Sequence, residues 1–233
     1  MLERVQFRGL LVVMAALSLG ACAPAPRPDT GAPPRPPAAT ASAGQAYDIV
    51  ESDVTIRVYR DGPLARLGHN HVIASTGVTG RVVVAGPLSR STLELSLPLD
   101  SLTVDEPARR AGAGSDFPDN VTEADREGTR RNMLGPALLD AATFPAVHLA
   151  SVAVAEREGG LYVTTRVDVA GKVRELVVPV VLQVQGVTLV ARGEFTVTHA
   201  ELGLAPFSVA MGALRVRDDL QVAYRLVARK ANT

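Results

Sequence analysis

The stretch TLELSLPLD, residues 92–100, sets Leu93, Leu95, Leu97 and Leu99 at every second position, with Glu94, Ser96 and Asp100 between them. Successive side chains of an extended strand point to opposite faces, so this spacing describes a strand with one apolar face and one wet face. The pattern recurs in Val54, Ile56 and Val58, and in Leu161, Val163, Thr165, Val167 and Val169. It returns in Val187, Leu189, Ala191, Phe195 and Val197, and at the end in Leu220, Val222, Tyr224, Leu226 and Ala228. Polar residues such as Arg192, Glu194 and Thr196 fill the alternate places. Short junctions containing glycine, Glu158-Gly159-Gly160 and Gln185-Gly186, favour antiparallel neighbours over strand–helix–strand units. The expected fold is all-β, a closed, lipocalin-like antiparallel barrel of roughly eight strands.

One segment breaks the alternation. Residues 116–145, DFPDNVTEADREGTRRNMLGPALLDAATFP, carry helix formers, grouped charges and a candidate cap at Asp119 or Asn120 followed by Glu123. The spacing predicts a helix over Val121–Leu134 and a short second one over Pro136–Ala142, with Pro136 at its first position and Phe144-Pro145 ending it. A small helical insertion of this kind can cap one end of a barrel.

Composition bears on the interior. The chain is 47% hydrophobic but only 4% aromatic, with no Trp. Inward faces made of Val, Leu and Ala fill a wide barrel poorly, so a long apolar cavity is expected; a flattened barrel packed with its own side chains is the alternative.

The front of the chain reads differently. Residues 1–21 place Arg4 and Arg8 ahead of an apolar run, Gly9–Leu19, too short to span a bilayer, which is the pattern of an export signal. The run closes on Leu19, Gly20, Ala21 and Cys22, similar to the bacterial lipobox, in which the cysteine receives a diacylglyceryl group and becomes the mature N-terminus. Ordinary cleavage after an Ala-x-Ala-like site is the alternative, and would leave Cys22 a free thiol in an oxidising compartment. Ala23 after the cysteine is the pattern of lipoproteins sent to the outer membrane, which would face this one to the periplasm. Residues 22–46, rich in Pro and Ala, form a tether that cannot bury a core, and the barrel domain is expected over residues 47–230.

Cys22 is the only cysteine, so neither an intramolecular disulfide nor a cysteine nucleophile is available to the domain. Lys and Arg number 24 against 24 Asp and Glu, with no basic stripe bearing interleaved aromatics, so nucleic-acid binding has no support.

Five segments in order are similar to the YceI-like family: YDIVESDVTIRVYR (47–60), GHNHV (68–72), RRNMLGPALLDAATFPAVHLAS (130–151), VDVAGKVRELVVPV (167–180) and ELGLAPFSVAMGALRVRDDLQVAYRLVA (201–228). The chain departs from the family pattern at Ala170–Val173, where many members carry a Thr-containing glycine turn. It departs again at His148-Leu149, where an aromatic is common. The resemblance implies a lipocalin-like barrel around an elongated apolar cavity, a bound polyisoprenoid or other long-chain lipid, no cofactor and no catalysis.

Within GHNHV, His69 and His71 stand one residue apart before a strand. If that strand is regular, Val72, Ala74, Val78, Val82 and Val84 face inward, and His69, His71, Ile73 and Ser75 face the other way, unless Gly77 or Gly80 shifts the parity. Three roles fit the pair: metal ligation, contact with a ligand's head group, or hydrogen bonding at the barrel rim. A metal centre, and with it a metal-dependent enzyme, needs a third ligand, for which the sequence offers His148, His199 or a carboxylate, none at local spacing. His148 is expected to face solvent and His199 to sit in a loop. Arg130 and Arg131 could neutralise a diphosphate at the mouth or form a solvated helix face. Phe195 and Phe207 could touch a lipid tail or pack in the core. No Gly-x-Ser-x-Gly elbow occurs, so Ser-His-Asp hydrolysis is not expected. The expected partners are a hydrophobic small molecule and a membrane reached through the anchor, with self-association left open.

Overall fold

The computed structural model describes residues 44–232. Residues 1–21, Cys22 and most of the tether lie outside the described residues. Gly44, Gln45 and Ala46, at the end of the expected tether, are already strand, held by pairing with Val83–Ala85.

Eleven strands follow one another: β1 (Gly44–Asp61), β2 (His71–Ser75), β3 (Thr79–Ala85), β4 (Thr92–Pro98), β5 (Thr103–Val104), β6 (Ala146–Arg157), β7 (Gly160–Val169), β8 (Lys172–Gln185), β9 (Thr188–Thr198), β10 (Ser208–Val209) and β11 (Leu214–Lys230). Two helices, α1 (Pro107–Ala111) and α2 (Glu123–Leu134), lie between β5 and β6. The ring runs β1-β3-β4-β6-β7-β8-β9-β11 and closes where β11 pairs with β1 from Tyr47↔Lys230 to Asp61↔Arg215. This is the eight-strand antiparallel barrel that the alternating leucines and valines predict.

Two-residue turns set the register of β6 to β9. Between β7 and β8, Ala170 and Gly171 both take left-handed angles, φ 49° and 69°, which match the right-handed twist of a tight hairpin. β1 is long enough to serve two neighbours on one edge. Its first part pairs with β3 and its second, Val54–Val58, with β2; an irregularity at Ile49/Glu51 lets it bend between them, and a second, at Val58/Arg60, follows the part that pairs with β2. Where the ladder passes from β2 to β3, the buried Ser52 hydroxyl accepts the Val78 N–H at 3.0 Å.

α2 confirms the expected helix, but its cap is Thr122. The Thr122 hydroxyl accepts the Asp125 N–H, and the Asp125 carboxylate in turn accepts the Thr122 N–H. The expected helix over 136–142 is not formed. Asp140 adopts φ 43°, and the chain makes successive turns, with Ala141 N–H donating to Leu134 O and Phe144 N–H to Asp140 O. That path brings Leu138 and Leu139 together over the barrel interior. Val187 departs too: placed by its spacing on an inward face, it sits in the β8–β9 turn, 56% exposed.

Gly193 in β9 marks a close approach. A Cβ there would meet Pro179 O at 2.4 Å and the Tyr224 ring at 2.8 Å. Tyr224 lies across this gap, its hydroxyl donating to Pro179 O at 2.7 Å, and burial pushes its phenol well above the ordinary range. Gly193→Ala is expected to destabilise the barrel by about 1–3 kcal/mol through overpacking. Urea unfolding reads this as a lower midpoint with an unchanged slope.

Candidate ligand cavity

The inward faces of the ring enclose a cavity of about 490 Å³, within the usual range for small-molecule sites. Leu93, Leu95, Leu97 and Leu99 all line it, as do the inward valines of β1 and β7. The barrel therefore does not fill itself. Tyr47, Leu189 and Ala228 pack together at the far end, each 5% exposed or less. The roof comes from Met133, Leu138 and Leu139.

The Arg and His residues of the lining gather where β1 ends. There Val58 pairs with both His71 and Leu220, and Arg60 with Val216. His199 follows Thr198, the last residue of β9, in the turn expected for it. Tyr59, Arg60, His69, His71, His199 and Arg215 all line the cavity at this end.

The parity expected for β2 is the reverse of the one observed. His71 and Ile73 line the cavity, as does His69 just ahead of the strand, whereas Val72 and Ala74, 1% and 3% exposed, do not. Both faces of β2 are covered, so hydrophobicity cannot say which points inward. α1 packs against β2, and Arg109 of α1 donates to Asp53 at 2.7 Å, on the face of β1 opposite the cavity-lining Val54. With Val72 and Ala74 buried on it, the outer side of β2 is as dry as the inner.

His71 is held from behind. Its Nδ1 lies 2.6 Å from Asp105 Oδ2, and Asp105 Oδ1 accepts the Val72 N–H at 2.8 Å and Arg110 Nη1 at 2.6 Å. Arg110 also donates to Asn70 O and Pro118 O. Asp105 is fully buried and Arg110 is 1% exposed. Burial pushes the Asp105 carboxyl up, but the His71, Val72 and Arg110 hydrogen bonds outweigh it and leave the group below the usual carboxylate range. An ionised Asp105 sets the tautomer of His71: Nδ1 carries the proton, and Nε2 is the nitrogen left for the cavity. Asp105 and Arg110 were not legible as site residues, because Asp105-Glu106-Pro107 and Arg109-Arg110 read as an ordinary charged turn and helix start.

His199 is set the same way, its Nδ1 2.9 Å from Asp218 O. His148 is exposed on β6, as expected. Phe195 and Phe207 both line the cavity. Arg130 and Arg131 do not: Arg130 donates to the backbone carbonyls of Leu102 and Asp100, fastening α2 to the barrel, and Arg131 is exposed. The rings of His69 and His71 stand 6.4 Å apart, and among the described residues no three His, Cys, Asp or Glu side chains group as metal ligands.

The YceI-like domain model matches residues 47–228. The fold is similar to that of Burkholderia cenocepacia BcnA, at 17% identity and TM-score 0.55, covering 76% of this chain and 95% of that one. It is similar also to a polyisoprenoid binding domain from Saccharophagus degradans implicated in plant cell wall breakdown, at 12% identity and TM-score 0.53, covering 80% and 99%. No curated protein matches the sequence. A family match over most of the sequence, together with a closed eight-strand barrel of the same fold as these solved structures, shows that the chain belongs to the YceI-like family.

Proposed function

We propose that this protein is a lipid-anchored barrel of the bacterial envelope that holds a long apolar chain, a polyisoprenoid, quinone or fatty amide, for carriage or sequestration. The observation that carries this reading is the cavity of about 490 Å³, mostly aliphatic along its length and with its Arg and His side chains at one end. Each methylene moved from water into such a space contributes about 0.8 kcal/mol, so a long chain is the guest that gains most from it. The polyisoprenoid binding domain among its structural neighbours supports the same class of ligand. Nothing in the arrangement calls for chemistry on the guest, so the reading is of a binding protein. Anchoring through acyl chains on Cys22 would keep the barrel in the envelope, with the outer membrane facing the periplasm as its station.

Mass spectrometry of the protein purified from membranes tests both parts. The intact mass is expected to show a chain that begins at an acylated Cys22, and the organic extract a lipid in near-stoichiometric amount. No co-purifying lipid and no uptake of added polyprenol would reject the binding role. An unacylated Cys22 would reject the anchor.

A further inference from the structure

We infer that the polar end of the cavity reads an anionic head group, a carboxylate or a phosphate, so that the guest is an acidic amphiphile; this rests on the cavity being a lipid site. Apart from the phenols of Tyr59 and Tyr224, every ionisable side chain lining the cavity is Arg or His, and no described lining residue is Asp or Glu. The Arg and His side chains are not scattered along the barrel. Arg60, Arg215, His69, His71 and His199 all stand where β1 ends.

The carboxylates nearby lie outside the lining and already have partners, some of them at this end of the cavity: Asp105 is held by His71, Val72 N–H and Arg110. Asp61 holds Arg215 at 2.7 Å, Asp219 holds Arg217, and Asp125 is bound in the cap of α2, close enough for its charge to sense His69 and His71. Asp218 stands 3.9 Å from His199, whose Nδ1 is given to the Asp218 carbonyl. Arg60 donates to the Gly68 carbonyl and has no carboxylate partner among the described residues. It is exposed at the mouth, where a head group would pass.

His71 supplies the fixed element. Its Nδ1 is taken by a fully buried Asp105, itself clamped by Val72 N–H and Arg110, so the ring cannot turn without orphaning buried charges. With Nδ1–H given to the Asp105 carboxylate, Nε2 faces the cavity as an acceptor, and an acidic head group that brings its own proton to Nε2 would share the ring with Asp105, one at each nitrogen. Such a preset partner costs little ordering when the guest arrives.

The test displaces a fluorescent apolar probe from the delipidated full-length protein with four competitors: hexadecanol, hexadecanoate, hexadecyl phosphate and inorganic phosphate. The two acids are expected to compete at about tenfold lower concentration than the alcohol, the difference between a charge-assisted and a neutral hydrogen bond. In the paired variant Arg60→Gln, His71→Gln, the acid-to-alcohol ratio is expected to fall to near one. Inorganic phosphate alone should leave the probe in place. Equal competition by acid and alcohol in the unaltered protein overturns the inference while leaving the lipid site standing. So does a preference that survives both substitutions, or displacement by inorganic phosphate. If no chain displaces the probe, the lipid reading itself has failed and the head-group reading falls with it.

Discussion

Arg110→Met is expected to lower the unfolding free energy by about 3–5 kcal/mol, the cost of leaving a buried charge without its partner. Arg110 is 1% exposed and is the cation that accompanies Asp105, which is itself fully buried at the back of His71. Its removal also strips donors from the Asn70 and Pro118 carbonyls, which join α1 to the segments on either side of it. The double substitution Asp105→Asn, Arg110→Met is expected to recover part of the loss, since no uncompensated charge then remains. Urea unfolding of the two single variants and the double variant measures the coupling; additive losses would mean that the pair does not act as a unit. Because the folded state lowers the Asp105 carboxyl, the stabilisation it brings is present above the unfolded value of about 4 and is lost as pH falls through the lower folded value. Asp105→Asn is therefore expected to flatten the acid limb of the stability curve.

Narrowing the barrel at mid-height is the second large effect. Val178 on β8 and Val222 on β11 both line the cavity, and Val178→Trp with Val222→Phe would set two rings across it. Excluding four methylenes of a bound chain removes about 3 kcal/mol, on the order of a hundredfold in affinity. Stability is expected to hold or rise, because the rings occupy space that is otherwise void. Lipid uptake and thermal unfolding, measured on the same sample, separate loss of binding from loss of fold. A folded variant that still takes up lipid at the original affinity would place the guest outside the barrel.

Much of this fold was legible in the order of residues. Leu93 to Leu99 line the cavity as their spacing requires, and so do Leu161 to Val169 on β7. The scarcity of aromatics announced an interior that its own side chains could not fill. Arg130 shows the opposite limit: a charge on a helix reads as solvated or ligand-facing, yet it is spent on the Leu102 and Asp100 carbonyls, which lie 28 and 30 residues away. Asp105 and Arg110 carry no local pattern, because their partners His71 and Asn70 lie 34 and 40 residues away.

What the sequence by itself determined is the run of one-sided strands and their closure into a ring, since one apolar face against one wet face leaves a strand only one way to turn. Tertiary structure alone decided which face of β2 looks inward. There α1 and the chain around it cover the outer side, both faces are dry, and the contrast that orients the other strands is gone. The position of His71, and with it the polar end of the cavity, was settled by what packs behind it.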